Sequence, residues 1–368
     1  MSRQAHLIAF VFLAVCSVVH AQWEMESSGT TADLRGIDNV GGGVAWASGT
    51  NGTVLRTEDG GYLWQACAVP PGAEHLVFRG VQAFDANTAI VMSSGKGDLS
   101  RLYKTTDGCH TWKLVFTNPD KDGFWDAVIF SRPSFGTLIG DPVHKHFPIY
   151  FTANGGETWQ RMDDKKVYST GESIFAASNS SLVVDPDRPK IYFVTGGESA
   201  TAVEVDLDSN LPICKHCESL GYSATGLASG KTAGAFSLAW DGNAKLAHFV
   251  AVGGDYEKPE SAQETASFWT DDHRGNFRWK SAGAPPHGYR SAVAYDAATK
   301  TWITVGPNGT DVSTDDGKNW RAVHPDPAMH EAPDADRDWN ALSLPFVVGP
   351  HGRIGKLNAK ALTQNQSK

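Results

Sequence analysis

Three arginines, Arg35, Arg79 and Arg290, each stand near the start of a short β-prone run: LRGIDNV from Leu34, FRGVQAF from Phe78 and YRSAVAY from Tyr289. A guanidinium presents a planar fork of donors that fits a carboxylate or a phosphate, so three of them around one opening would form an anion site. Asn340, at the corresponding point of WNALSL, adds an amide. Four carboxylates, Asp126, Asp141, Glu172 and Asp255, occupy the same kind of position or the loops beside it. Two carboxyl groups facing each other across a glycosidic bond act as acid and base, or as acid and nucleophile. The chemistry open to this set is therefore anion recognition or glycoside hydrolysis. The structural alternative is that each charge pairs with a neighbouring side chain or carbonyl.

What places these residues together is a repeat. Five times the chain writes a hydroxyl residue, then Asp or Asn two positions on, then glycine, then tryptophan. The copies are TEDGGYLW from Thr57, TTDGCHTW from Thr105, TANGGETW from Thr152, TDDHRGNFRW from Thr270 and STDDGKNW from Ser313. The carboxylate or amide caps its own turn and the glycines allow positive φ, so each phrase reads as a hairpin turn rather than as one-fifth of an active site. First strands begin near Leu34, Phe78, Phe124, Ser180, Phe236, Tyr289 and Trp339; second strands end at Gly49, Gly95, Gly140, Gly196, Gly253, Gly306 and Gly349. Both series give seven repeats at spacings of roughly 44 to 56 residues, the pattern of an all-β, seven-bladed β-propeller. The seventh repeat stops after GRIGKL (352–357) with no tryptophan strand, and Gln22-Trp23-Glu24-Met25 supplies one. Trp23 is thus expected to complete the last blade and close the ring, removing its free edges.

The repeated phrases resemble the Asp-box, or BNR, repeat of the sialidase-like β-propellers. The wider wording, GYRSAVAY (288–295), VGGDYEKP (252–259) and FVVGPHGRIGKL (346–357), is similar to bacterial relatives of the photosystem II assembly and stability factor family. That resemblance implies a propeller whose first strands start on one face and whose Asp-box turns lie on the other. It also implies a non-enzymatic factor that holds a protein partner through an arginine-rich face, for which Arg35, Arg79 and Arg290 are the candidates. The sialidase-like class includes glycosidases, so hydrolysis is the second reading, with Asp126, Asp141, Glu172 and Asp255 as candidate catalytic residues. The Arg-Ile-Pro phrase usual around a sialidase's first arginine is absent, since Gly36 and Ile37 follow Arg35.

Composition bounds the rest. The 368 residues carry a net charge of -9, which argues against nucleic acid as a partner. Residues 1–21 read as a signal peptide: Arg3, an apolar run from Leu7 to Val19, and cleavage near Ala21. That run is short for a membrane span. The expected protein is exported, periplasmic or extracellular, monomeric and without cofactor. It comprises a propeller over 22–357 and a polar, frayed tail over 358–368. Beyond the signal there are four cysteines, allowing three pairings. A local bridge between Cys214 and Cys217 leads, and Cys67 with Cys109 would join neighbouring repeats. His144 and His146 beside Asp141 read as surface histidines rather than as a metal site.

Overall fold

The computed structural model describes residues 22–162, 166–185, 188–207, 217–243, 248–271 and 277–364. Among the described residues seven antiparallel sheets form, six of four strands and one of six. The first strand of each blade, in ring order, is Leu34–Gly41, Phe78–Ala83, Trp125–Arg132, Leu182–Val184, Gly230–Trp240, Ala292–Asp296 and Ala341–Ser343. Each touches the next, and the last touches the first, so the ring is closed. Buried apolar side chains gather into seven clusters, one between each pair of adjacent blades. A blade's two faces thus pack on two neighbours, and no blade holds a core of its own. The expected Trp23 closure is present: Trp23–Glu26 pairs antiparallel with Ile354–Leu357.

The hairpin phrases work by one shared bonding scheme. Thr57 Oγ1 donates to Asp59 Oδ1 at 2.8 Å and accepts from the Gly61 N–H at 3.0 Å, while Asp59 Oδ1 accepts from the Leu63 N–H at 3.0 Å. The sets Thr105-Asp107-Cys109-Thr111, Thr152-Asn154-Gly156-Thr158 and Ser313-Asp315-Gly317-Asn319 repeat it. The three carboxylates and the Asn154 amide are consumed by their turns. In the second copy Cys109 takes the glycine position at φ 64°, and it is bonded to Cys67 at the outer edge of blade 1. That bridge spans a sequence separation of 42. In the chain-entropy view, closing a loop of that size is worth about 4 kcal/mol.

One expectation is amended, and blade 4 departs from the repeat. Blade 4 lacks the phrase, and its outer strand is Cys217–Ala224, paired with Thr201–Leu207. The tail expected to fray instead forms a helix, Ala359–Gln364, whose Ala361 and Leu362 are buried, Leu362 against the cluster that holds Trp23. The signal segment and Cys214, and with it the expected bridge to Cys217, lie outside the described residues.

Candidate functional site

A strap plugs the ring. After Glu172–Ser173, which pairs with Gly196–Gly197 and extends the sheet of blade 5 inward, residues 174–180 cross the channel. Phe175 stacks on Phe236 of blade 5 at 4.1 Å between centroids. Ser178 Oγ donates to the Ser291 carbonyl of blade 6 at 2.8 Å. The Asn179 amide both accepts from and donates to the Val128 backbone of blade 3, at 2.8 and 2.9 Å. The Ala176 carbonyl accepts from Arg79 of blade 2 at 2.8 Å. The strap turns a through-channel into a blind cup of about 910 Å³, opening on the face where first strands begin.

The cup is lined by β-bulges. Pairing slips by one residue between Leu34 and Gly36, Phe78 and Gly80, Trp125 and Ala127, and Ala235 and Ser237. The residues in those slips are Arg35, Arg79, Asp126 and Phe236, and all four line the cup. A bulge re-aims its extra side chain, here toward the axis. Ser291 and Asn340 complete the ring in blades 6 and 7, and Asp141 and Tyr256 enter from the loops after second strands.

Arg290 does not join this set, which corrects the expected arc of three. The residue that lies against the glycine ending the second strand is Leu34 at Gly49 in blade 1 and Arg290 at Gly306 in blade 6. Arg290 therefore matches Leu34, and Ser291 matches Arg35. A shift of one residue sends a side chain to the other face. Arg290 is fully buried, with Nε donating to Asp311 Oδ2 at 2.8 Å. Glu172 and Asp255 do not line the cup either. Glu172 accepts from Ser199 Oγ at 2.7 Å and the Thr170 N–H at 2.7 Å. Burial pushes its carboxyl up, but these bonds outweigh burial and hold it at about 2. Asp255 accepts from Thr232 at 2.7 Å and pairs with Lys258 at 3.0 Å.

The remaining charges are incompletely paired. The Nε atoms of Arg35 and Arg79 and both carboxyl oxygens of Asp126 are buried without a hydrogen-bond partner among the described residues. Burial, then the Arg35 charge, lowers the pKa of Arg79. Asp126 is 1% exposed. Burial, then the Asp141 charge, pushes its carboxyl well up against the pull of Arg79. Asp141 is raised by burial to about 6, although it accepts from the Ile174 N–H at 2.9 Å. Phe175, Phe236, Tyr256 and Tyr289 form an aromatic wall, with Tyr289 edge-on to Phe236 at 4.8 Å. Sequence reasoning did not find this wall or the strap; the first lies at bulge and loop positions and the second has no repeat counterpart. No group of three or more metal-ligating side chains occurs among the described residues.

A group whose folded pKa is raised stabilises the fold below its ordinary range and loses that contribution as pH rises through the folded value. Asp126→Asn, neutral and isosteric, is therefore expected to raise the melting temperature near pH 8, with the gain shrinking toward pH 4. A melting series over that range checks it; a variant less stable than wild type at pH 8 would contradict the sign.

No family model matches the chain, and no curated protein matches it. Solved structures do. The structure described as YCF48 bound to D1 peptide is 16% identical over 92% of this chain and 97% of its own, with a TM-score of 0.60. YCF48 from Cyanidioschyzon merolae is 18% identical, with 92% and 100% covered and a TM-score of 0.61. The GH74 xyloglucanase from Xanthomonas campestris is 14% identical, with 93% and 54% covered and a TM-score of 0.60. The chain shares their propeller fold. At these identities the likeness is one of architecture, as the Asp-box phrases led us to expect, and the chain spans about half the length of the xyloglucanase.

Proposed function

We propose that this chain is an exported binding or assembly propeller that holds an anionic ligand or a protein partner at the strap-plugged cup. The observation that carries the reading is the pair Arg35 and Arg79. They come from adjacent blades, face one cavity, and have no carboxylate partner within salt-bridge distance among the described residues. Arginines used only as structure look like Arg290, fully paired in its blade interface. A propeller of this fold bound to a peptide supports the assembly class. Capture from an envelope extract tests it. Wild type is expected to retain a defined partner that Arg35→Ala/Arg79→Ala loses, and an unchanged capture profile would sink the reading.

Glycoside hydrolysis is the second reading, favoured by one observation: Asp126 and Asp141 share the cup, and each is raised by burial. Turnover of chromogenic glycosides that disappears in Asp126→Asn would reverse the ranking.

A further inference from the structure

Buried polar groups in folded proteins are nearly always paired, so the exceptions call for an explanation. Here the exceptions have opposite signs and share one cavity. Arg35 and Arg79 present unpaired Nε donors, and Asp126 presents two unpaired oxygens. Arg79 and Asp126 occupy equivalent bulges on neighbouring blades, yet they do not pair. The strap accounts for this. Its Ala176 carbonyl holds the Arg79 guanidinium at 2.8 Å, and its Ile174 N–H holds the second acid, Asp141, at 2.9 Å. Acid and base are thereby kept from collapsing on each other, at the cost of desolvating both.

A simple anion would satisfy the arginines, leave Asp126 orphaned and repel both acids. A simple cation would do the reverse. Only a ligand carrying both charges completes both halves. We propose that the cup binds a small zwitterion of the α-amino acid class, its carboxylate on Arg35 and Arg79 and its ammonium on Asp126 and Asp141. The Phe175–Phe236 stack and Tyr289 give an apolar or aromatic side chain a wall to lie on, and a ring face also attracts an ammonium. A volume of about 910 Å³ suits a ligand of this size with its water. The proposal rests on the reading of the cup as the binding site and names the ligand class for it.

Three probes share one skeleton: L-phenylalanine, 3-phenylpropionate (no ammonium) and phenethylamine (no carboxylate). Titration calorimetry on the whole chain is expected to show saturable binding of an L-amino acid with an apolar side chain, phenylalanine being the reference. Each half-ligand should bind at least about tenfold more weakly. Arg35→Ala/Arg79→Ala should abolish binding, while Asp126→Asn should lose phenylalanine and keep whatever phenylpropionate binds. The pH dependence has a sign. Asp126 faces Asp141 and Arg79, with Arg35 and Tyr289 beyond, and an ammonium needs it ionised. Affinity for phenylalanine should rise as pH climbs past about 6, where Asp141 ionises, and that for phenylpropionate should fall. Equal binding of phenylpropionate overturns the proposal in favour of an anion site, and equal binding of phenethylamine in favour of a cation site. Glucuronate binding without any amino acid makes the cup a sugar site. If no probe binds while Arg35→Ala/Arg79→Ala still loses its envelope partner, the zwitterion falls and the binding cup survives; if neither is seen, both fall.

Discussion

Asp311→Ala is expected to cost about 3–5 kcal/mol of unfolding free energy, because it strands a buried guanidinium. Asp311 and Arg290 are 1% and 0% exposed. Arg290 donates through Nε and Nη2 to Asp311, and through Nη1 to the Tyr289 carbonyl at 2.8 Å and to Asn308 at 2.5 Å. His287 Nδ1 sits 2.9 Å from the other Asp311 oxygen. Burial pushes the Asp311 carboxyl up, but His287 and Arg290 outweigh it and leave it lowered. A lowered carboxyl stabilises above its ordinary range and loses that contribution as pH falls through the folded value, so the cost of the variant should shrink in acid. Arg290→Met/Asp311→Leu, which removes both charges, is expected to recover most of the loss. Denaturant unfolding of the three proteins decides. A single variant within about 0.5 kcal/mol of wild type, or a double variant no better than the single, would show that the pair is not what holds this interface. The site depends on the same pair, because Arg290 fixes the backbone of Tyr289 on the cup wall.

The contrast between Arg290 and the cup arginines shows where sequence reading stops. Blade number, hairpin turns and closure were legible because they rest on local chemistry repeated at a period: a hydroxyl, a carboxylate and a glycine bonded within eight residues. The face of the propeller was legible for Arg35, Arg79, Asp126, Asp141 and Asn340 for the same reason. Arg290 was misplaced by one residue, since alignment by hydrophobic pattern does not count a bulge. A signal was present. Arg35 and Arg79 precede Gly36 and Gly80, where a Cβ would meet Ser48 Oγ at 2.6 Å and Asn179 Oδ1 at 2.7 Å, and Arg290 precedes a serine. The glycine marks the close approach that a bulge can impose, but it is a partial signal, since Ala127 and Ser237 follow the bulged Asp126 and Phe236. The strap had no such signal, because its partners are a ring, a guanidinium and backbone groups on four different blades, chosen by the closed ring rather than by neighbours in the chain. The helical tail was hidden by its polar composition, although Leu362 and Ala361 are buried and Leu362 packs in the cluster that holds Trp23.

Closure carries the other large expected effect. Trp23 is 3% exposed and packs among Val305, Trp339, Leu342 and Leu357, at the junction of blades 6 and 7. Truncating a buried tryptophan costs about 3–5 kcal/mol, so Trp23→Ala should lower stability by that amount. The strand does more than fill space. Gln22 bonds Glu331 and the His324 carbonyl beside blade 6, and Glu26 accepts from Trp64 Nε1 of blade 1 at 2.7 Å. Five residues, 22–26, thus tie the last blade to both its neighbours. Removing residues 22–26 would also uncover the edge of Ile354–Leu357, a ready template for another chain. Trp23→Ala is therefore expected to melt lower and stay monomeric, whereas the deletion should melt lower and self-associate. Calorimetry and light scattering on the two variants separate these effects. If the deletion melts and scatters like wild type, the N-terminal strand is an ornament on a ring that closes without it, because lost packing and an open edge cannot both be silent.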